Sequence, residues 1–122
     1  VLESVAKLFQ LPYRTFARGA DLKAALRDYL AFDVLWVDTP SVSARDPEAF
    51  RALEAELGAV ESGRRYAVLS ATMRDVELAF VSKQLLNLRP MGLAFTHLDE
   101  ALTHGHILNT VERTRLPLVA FG

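Results

Sequence analysis

Four short apolar runs punctuate this chain: Val34 to Val37, Tyr66 to Ser70, Gly92 to Thr96 and Leu118 to Phe121. None alternates polar with apolar residues, the pattern of strands buried on both faces when helices cover a parallel sheet. Apolar positions between the runs recur instead at helical spacing. Leu2, Val5, Leu8 and Phe9 predict a first helix that Leu11-Pro12 breaks, before a short extended run from Tyr13 to Phe16 and a turn at Gly19. Asp21 begins a second helix, with Leu22, Ala25, Leu26, Tyr29 and Leu30 on its apolar face.

After a loop from Asp38 to Arg45, Asp46-Pro47-Glu48 reads as an N-cap, a proline at the first helical position and an acid in the first turn. Phe50, Leu53 and Leu57 face the core from that helix, and Gly58 and Gly63 bracket its exit. Thr72 caps the next helix, whose spacing is set by Val76, Ala79, Phe80, Lys83 and Leu86 or Asn87, and which Pro90 ends. Ile107, Leu108 and Val111 mark a last helix. The alternation of helix and strand predicts an α/β fold, a doubly wound and mostly parallel sheet, with residues 1–122 forming one domain. Trp36 and Phe95, inside strands, are expected in the core, and Arg64-Arg65 in a solvated turn.

Open parallel sheets take ligands at the carboxyl ends of their strands. Asp38 closes the first run, and Thr96-His97-Leu98-Asp99 closes the third, so two strands deliver a carboxylate each to one edge. A nucleotide suits such an edge. Composition adds mainly exclusions. With 14 Lys and Arg against 15 Asp and Glu, spread without blocks, there is no footprint for nucleic acid or an anionic membrane. The lack of cysteine removes thiolate metal sites and fits a cytoplasmic setting. His104 and His106 do not share a helix face, which argues against a metal pair. No apolar stretch approaches the length of a membrane span.

Three stretches resemble the signal-recognition-particle family of GTPases, in particular its flagellar branch. Asp38-Thr39-Pro40-Ser41 resembles the family's Asp-Thr-Ala-Gly, and Leu69-Ser70-Ala71-Thr72 a family strand-to-helix junction. Thr96-His97-Leu98-Asp99-Glu100 resembles Thr-Lys-Leu-Asp-Glu, followed by Gly105, Ile107-Leu108-Asn109 and Leu116-Pro117. The resemblance implies a P-loop-NTPase-like GTP-binding domain that takes GTP or GDP with Mg²⁺. Its guanine side would be Thr96, His97 and Asp99, and its phosphate side Asp38, Thr39 and Ser41, with Asp38 holding the metal through water. It also implies dimerisation or pairing with a related GTPase, and a cytoplasmic location peripheral to the inner face of the plasma membrane.

The departures from that pattern are specific. None of the six glycines is followed by lysine, so the phosphate loop of Gly-x-x-x-x-Gly-Lys-Ser/Thr type is missing and is expected upstream of Val1. Ser41 stands where the family has glycine, Val42 where it has arginine, and His97 where it has lysine. Both ends read as cut from something longer, and no catalytic residue is assigned. Three readings follow: a portion of an SRP-type GTPase, a degenerate non-catalytic interaction domain of the same fold, and a receiver-like domain suggested by the spacing of Asp38 and Ser70. The missing strand predicts exposed sheet edges, and with them self-association.

Overall fold

A computed structural model describes residues 2–43, 45–60 and 63–122. The elements are α1 (Leu2–Leu8), α2 (Gly19–Ala25), α3 (Pro47–Gly58), β1 (Tyr66–Ser70), α4 (Asp75–Leu85), β2 (Gly92–Thr96), α5 (Gly105–Thr114) and β3 (Leu118–Phe121), with 3-10 turns at Leu26–Tyr29 and Leu86–Leu88. β1, β2 and β3 form a parallel sheet in that order. The three later runs are therefore strands with the expected bounds, and helices join them as parallel neighbours require.

The core lies on one side of this sheet. Ala67 and Leu69 of β1 are in register with Leu93 and Phe95 of β2, and the four side chains pack with Phe50 of α3, Leu78 and Val81 of α4 and Ile107 of α5. α4 and α5 meet through small residues: Ser82 and Thr110 are fully buried. Their hydroxyls do not go unsatisfied. Ser82 Oγ donates to the Leu78 carbonyl and Thr110 Oγ1 to the His106 carbonyl at 2.7 Å, so each polar group is paired within its own helix. Close helix contact is thus gained without an orphaned donor.

Two local features hold β3 and α3 in place. The β2–β3 register shifts between Leu93 and Ala94, which pair with Leu118 and Ala120 and leave Val119 as the extra residue of a bulge. A Cβ on Gly92 would lie 2.6 Å from Val119 Cγ1 and 3.1 Å from the Pro117 carbonyl oxygen, so glycine admits this close approach. In α3, Asp46 Oδ1 accepts from Ala49 N at 2.9 Å, the expected N-cap ahead of Pro47. Arg65 is not in a solvated turn. Its guanidinium donates to the carbonyls of Leu57 (2.9 Å), Val60 (3.3 Å) and Leu88 (3.1 Å), tying the end of α3 to the turn after α4. A cation placed on carbonyls left open at a helix end is favoured by the helix dipole.

Several expectations are corrected. Val34 to Val37 forms no strand and pairs with none among the described residues, and Trp36 is 85% exposed rather than in the core. A strand has no local hydrogen bonds to hold it, so an apolar run becomes one only where an edge reaches it. Tyr13 to Phe16 likewise joins no sheet, and Gly19 opens α2 instead of forming a turn before it. A Cβ at Gly19 would collide with the Glu56 carbonyl, where α2 meets α3. On α4 the buried face is Leu78, Val81 and Ser82, while Val76 and Phe80 are exposed. On α5 Ile107 is buried but Leu108 is not. On α1 Ala6 is buried and Leu2, Val5 and Leu8 face outward, as does Phe9 just after it.

Candidate functional site

β2 ends at Thr96, and the chain turns sharply there. His97 takes a left-handed conformation (φ 60°), and Glu100 N and Ala101 N return to the carbonyls of His97 and Leu98, both at 3.3 Å. The loop is pinned from beside it. Gly122 N donates to Phe95 O at 2.9 Å and Leu98 N donates to Gly122 O at 3.3 Å, which extends the β2–β3 ladder up to the turn. The Thr96 hydroxyl donates to Leu69 O at 3.4 Å and lies 2.9 Å from His97 Nδ1. A neighbouring strand, a hydroxyl and a left-handed residue together fix the direction in which the loop leaves the sheet.

Asp99 is exposed on this loop, and its carboxylate has no protein partner among the described residues. It does not cap α5: the residue preceding that helix is His104, five positions further on. His97 is likewise exposed. His104 and His106 are each spent on the backbone, His104 Nε2 lying 3.2 Å from Leu98 O and His106 Nε2 2.7 Å from Ala71 O. Among the described residues no group of three or more His, Asp or Glu side chains could hold a metal ion.

The other half of the predicted site is arranged differently. Asp38, Thr39 and Ser41 are all exposed in an irregular stretch after the unpaired Val34 to Val37 run. No hydrogen bond or ion pair links them to the Thr96–Asp99 loop among the described residues. Among the described residues of this region, only Val42 packs against the core. Asp38 thus has no hydrogen-bond or ion-pair partner among the described residues, and neither do Thr39 and Ser41. At the junction after β1, Ser70 Oγ and Thr72 Oγ1 are 2.7 Å apart, so Thr72 serves the loop and not the helix. The N-cap of α4 is Arg74, whose backbone N–H donates to the Glu77 carboxylate at 3.0 Å and whose guanidinium donates to it at 2.9 Å. These bonds hold the Glu77 carboxyl below its usual pKa, with the Arg74 side chain the larger cause.

Between the β1–α4 and β2–α5 connections runs an open groove of about 590 Å³, bordered by Thr72, Arg74, Asp75, Glu100, Thr103 and His106 among others. It adjoins the Asp99 loop through Glu100. Sequence patterning gives no signal for this groove, because its walls come from two connections that only the sheet brings side by side.

Parallel strands whose connecting loops gather at the carboxyl edge define an α/β domain of the class that takes ligands there. The same arrangement is found in FlhF. The chain matches 99% of its length to 46% of a chain in the crystal structure of FlhF complexed with GTP/Mg(2+), with a TM-score of 0.84 and 22% sequence identity. In sequence it is 23% identical over 115 residues to the flagellar biosynthesis protein FlhF of Bacillus subtilis (strain 168), covering 94% of this chain and 31% of that protein. The chain therefore spans about a third of the curated relative and under half of the solved chain. No family model matches it.

Proposed function

We propose that this chain is the later part, as one α/β domain, of an FlhF-like, SRP-type GTP-binding protein of flagellar biosynthesis or placement. The observation that carries the reading is the Thr96–Asp99 loop, where an unpartnered, exposed carboxylate stands at the carboxyl end of a strand in a fold shared with a GTP-complexed protein. Asp99 accepts hydrogen bonds from the N1–H and exocyclic amine of guanine, a pair that adenine cannot offer. His97 lays its imidazole along the base in place of a lysine stem. Thr96 braces His97, its hydroxyl donating to Leu69 O and lying 2.9 Å from His97 Nδ1.

On the phosphate side Asp38 holds Mg²⁺ through water, with Thr39 and Ser41 beside it. The ion would screen phosphate charge there. Ser41 replaces the glycine that lets a backbone amide come close to a phosphate, so nucleotide binding is the activity assigned to this segment. In this reading the protein works in the cytoplasm, peripheral to the inner face of the membrane, and pairs with a related GTPase. Among the described residues no helix is long and apolar enough to cross a membrane.

Titration calorimetry of GDP and GTP with Mg²⁺, with ATP as control, tests the reading. Guanine-selective heat that Asp99→Asn converts to a xanthine preference supports it; unchanged selectivity in that variant removes Asp99 from the site. A second reading, a degenerate interaction domain, is favoured by Pro40 and Ser41 and by the unpaired segment before Asp38. It predicts no nucleotide heat at all, even with the phosphate-loop segment of the relative supplied on the same chain.

A further inference from the structure

Leu98 is held by the fold on every side, and the exposed Asp99 follows it directly. The Leu98 amide donates to Gly122 O at 3.3 Å, and its side chain packs against the core. Its carbonyl takes two donors, Ala101 N at 3.3 Å and His104 Nε2 at 3.2 Å. A carbonyl oxygen only accepts, so the His104 ring carries a proton on Nε2. The peptide between Leu98 and Asp99 is trans and planar, so the direction of that carbonyl sets where the Asp99 Cα lies and where its side chain begins.

His104 does not use its side chain on the helix it precedes. It is the N-cap of α5 but makes no side-chain cap bond, at a position where Ser, Thr, Asp or Asn ordinarily meets the first amides. Its imidazole reaches six residues back instead, across the loop to Leu98 O. The Ala101 bond is a turn within the loop, whereas the imidazole bond ties the loop to α5, which Ile107 anchors in the core. We propose that His104 is a positioning residue of the guanine side, a role that rests on the nucleotide reading of this loop. It holds the Leu98–Asp99 peptide so that the Asp99 carboxylate meets the N1–H and the exocyclic amine of the base together, acting through the backbone and not on the base.

Guanine offers Asp99 two donors, and hypoxanthine, which lacks the exocyclic amine, offers one. A misplaced carboxylate loses most on the two-donor pair. In titration calorimetry with Mg²⁺, His104→Leu is expected to weaken GDP binding by about three- to tenfold and inosine diphosphate binding by less, so the preference between them falls. His104→Gln, whose side-chain N–H lies the same number of bonds from Cα, restores the preference. Leu102→Ala, at a fully exposed position of the same loop, leaves it unchanged. Amide exchange at Ala101, which shares the Leu98 carbonyl, quickens in His104→Leu and not in His104→Gln. Equal losses for the two nucleotides, as general loosening would give, overturn the proposal, and so does a Gln variant no better than Leu. Should wild type show no guanine preference, the nucleotide reading falls and the proposal with it. Should wild type and Asp99→Asn behave as that reading requires while His104→Leu matches wild type, the proposal alone falls.

Discussion

The segment before α3 and the segment from α3 onward are both rich in large apolar side chains, yet they use them in opposite ways. From Phe50 to Ile107 the buried apolar residues converge on one cluster under the sheet, although Val68, Val76, Phe80 and Leu102 face outward. Among the described residues before residue 44 only Ala6, Leu22 and Ala25 belong to the buried apolar set, while Leu8, Phe9, Leu30, Phe32 and Trp36 face outward. Apolarity alone therefore does not decide burial. The later segment has three strands that hydrogen-bond to one another and so present a common face. The earlier one has a two-turn helix, a short helix that buries Leu22 and Ala25 where it meets α3, and an unpaired run, and no sheet gives them a common face.

The contrast is sharpest in a pair of truncations. Phe95→Ala empties a site that is 1% exposed, in a side chain touching the centre of the core, and should cost about 3–5 kcal/mol of stability. Trp36→Ala removes a larger ring that touches little, and should change the stability of the monomer by no more than about 0.5 kcal/mol. Urea denaturation of both variants at low protein concentration measures the difference, and equal losses would mean that the early segment has a core of its own.

A smaller effect tests how tightly the later segment closes. Gly92→Ala pushes a methyl group toward Val119 Cγ1 and the Pro117 carbonyl, with an expected cost of about 1–3 kcal/mol as the bulge shifts. Faster amide exchange at Leu118 to Phe121 would locate the damage. Asp46→Ala removes the bond to Ala49 N and should cost about 1 kcal/mol, seen as a lower urea midpoint with an unchanged slope.

The smallest effect is electrostatic and outside the core. Glu77 has its carboxyl pKa lowered by Arg74, so its contribution is fully present above the ordinary carboxylate range and is lost as pH falls through the lowered value. Both side chains are solvated, which keeps the effect slight. Thermal unfolding of Glu77→Gln and wild type should converge at acid pH and separate slightly near neutrality. Separation that grows toward acid pH would contradict the assignment.

How much was legible in the sequence differs residue by residue. Asp46-Pro47 announced α3 because an N-cap bonds within three residues of itself, and the bond to Ala49 N is there. Thr72 gave the same kind of signal and it misled. Its hydroxyl lies against Ser70, and the helix starts three residues later under a reach-back from Glu77. The Thr96 to Asp99 loop was legible as chemistry through its resemblance to a known motif. That Asp99 is left unpaired while both nearby histidines are taken up by carbonyls was not, because those carbonyls belong to Leu98 and to Ala71, on the loop itself and on another connection. Arg65 escaped notice for the same reason: its partners come from α3, from the residues just after it and from the turn after α4.

The sequence by itself determined the bounds of β1, β2 and β3, the start of α3 and the alternating order that makes the sheet parallel, since run length, capping and spacing act between residues close in the chain. Tertiary structure decided the rest. It decided which side of α4 is buried, that Val34 to Val37 stays unpaired, and that Gly92 meets a bulge at Val119. A strand exists only when another strand meets its hydrogen bonds, and a helix face is chosen by what lies across from it. Neither partner is written in the segment that needs it.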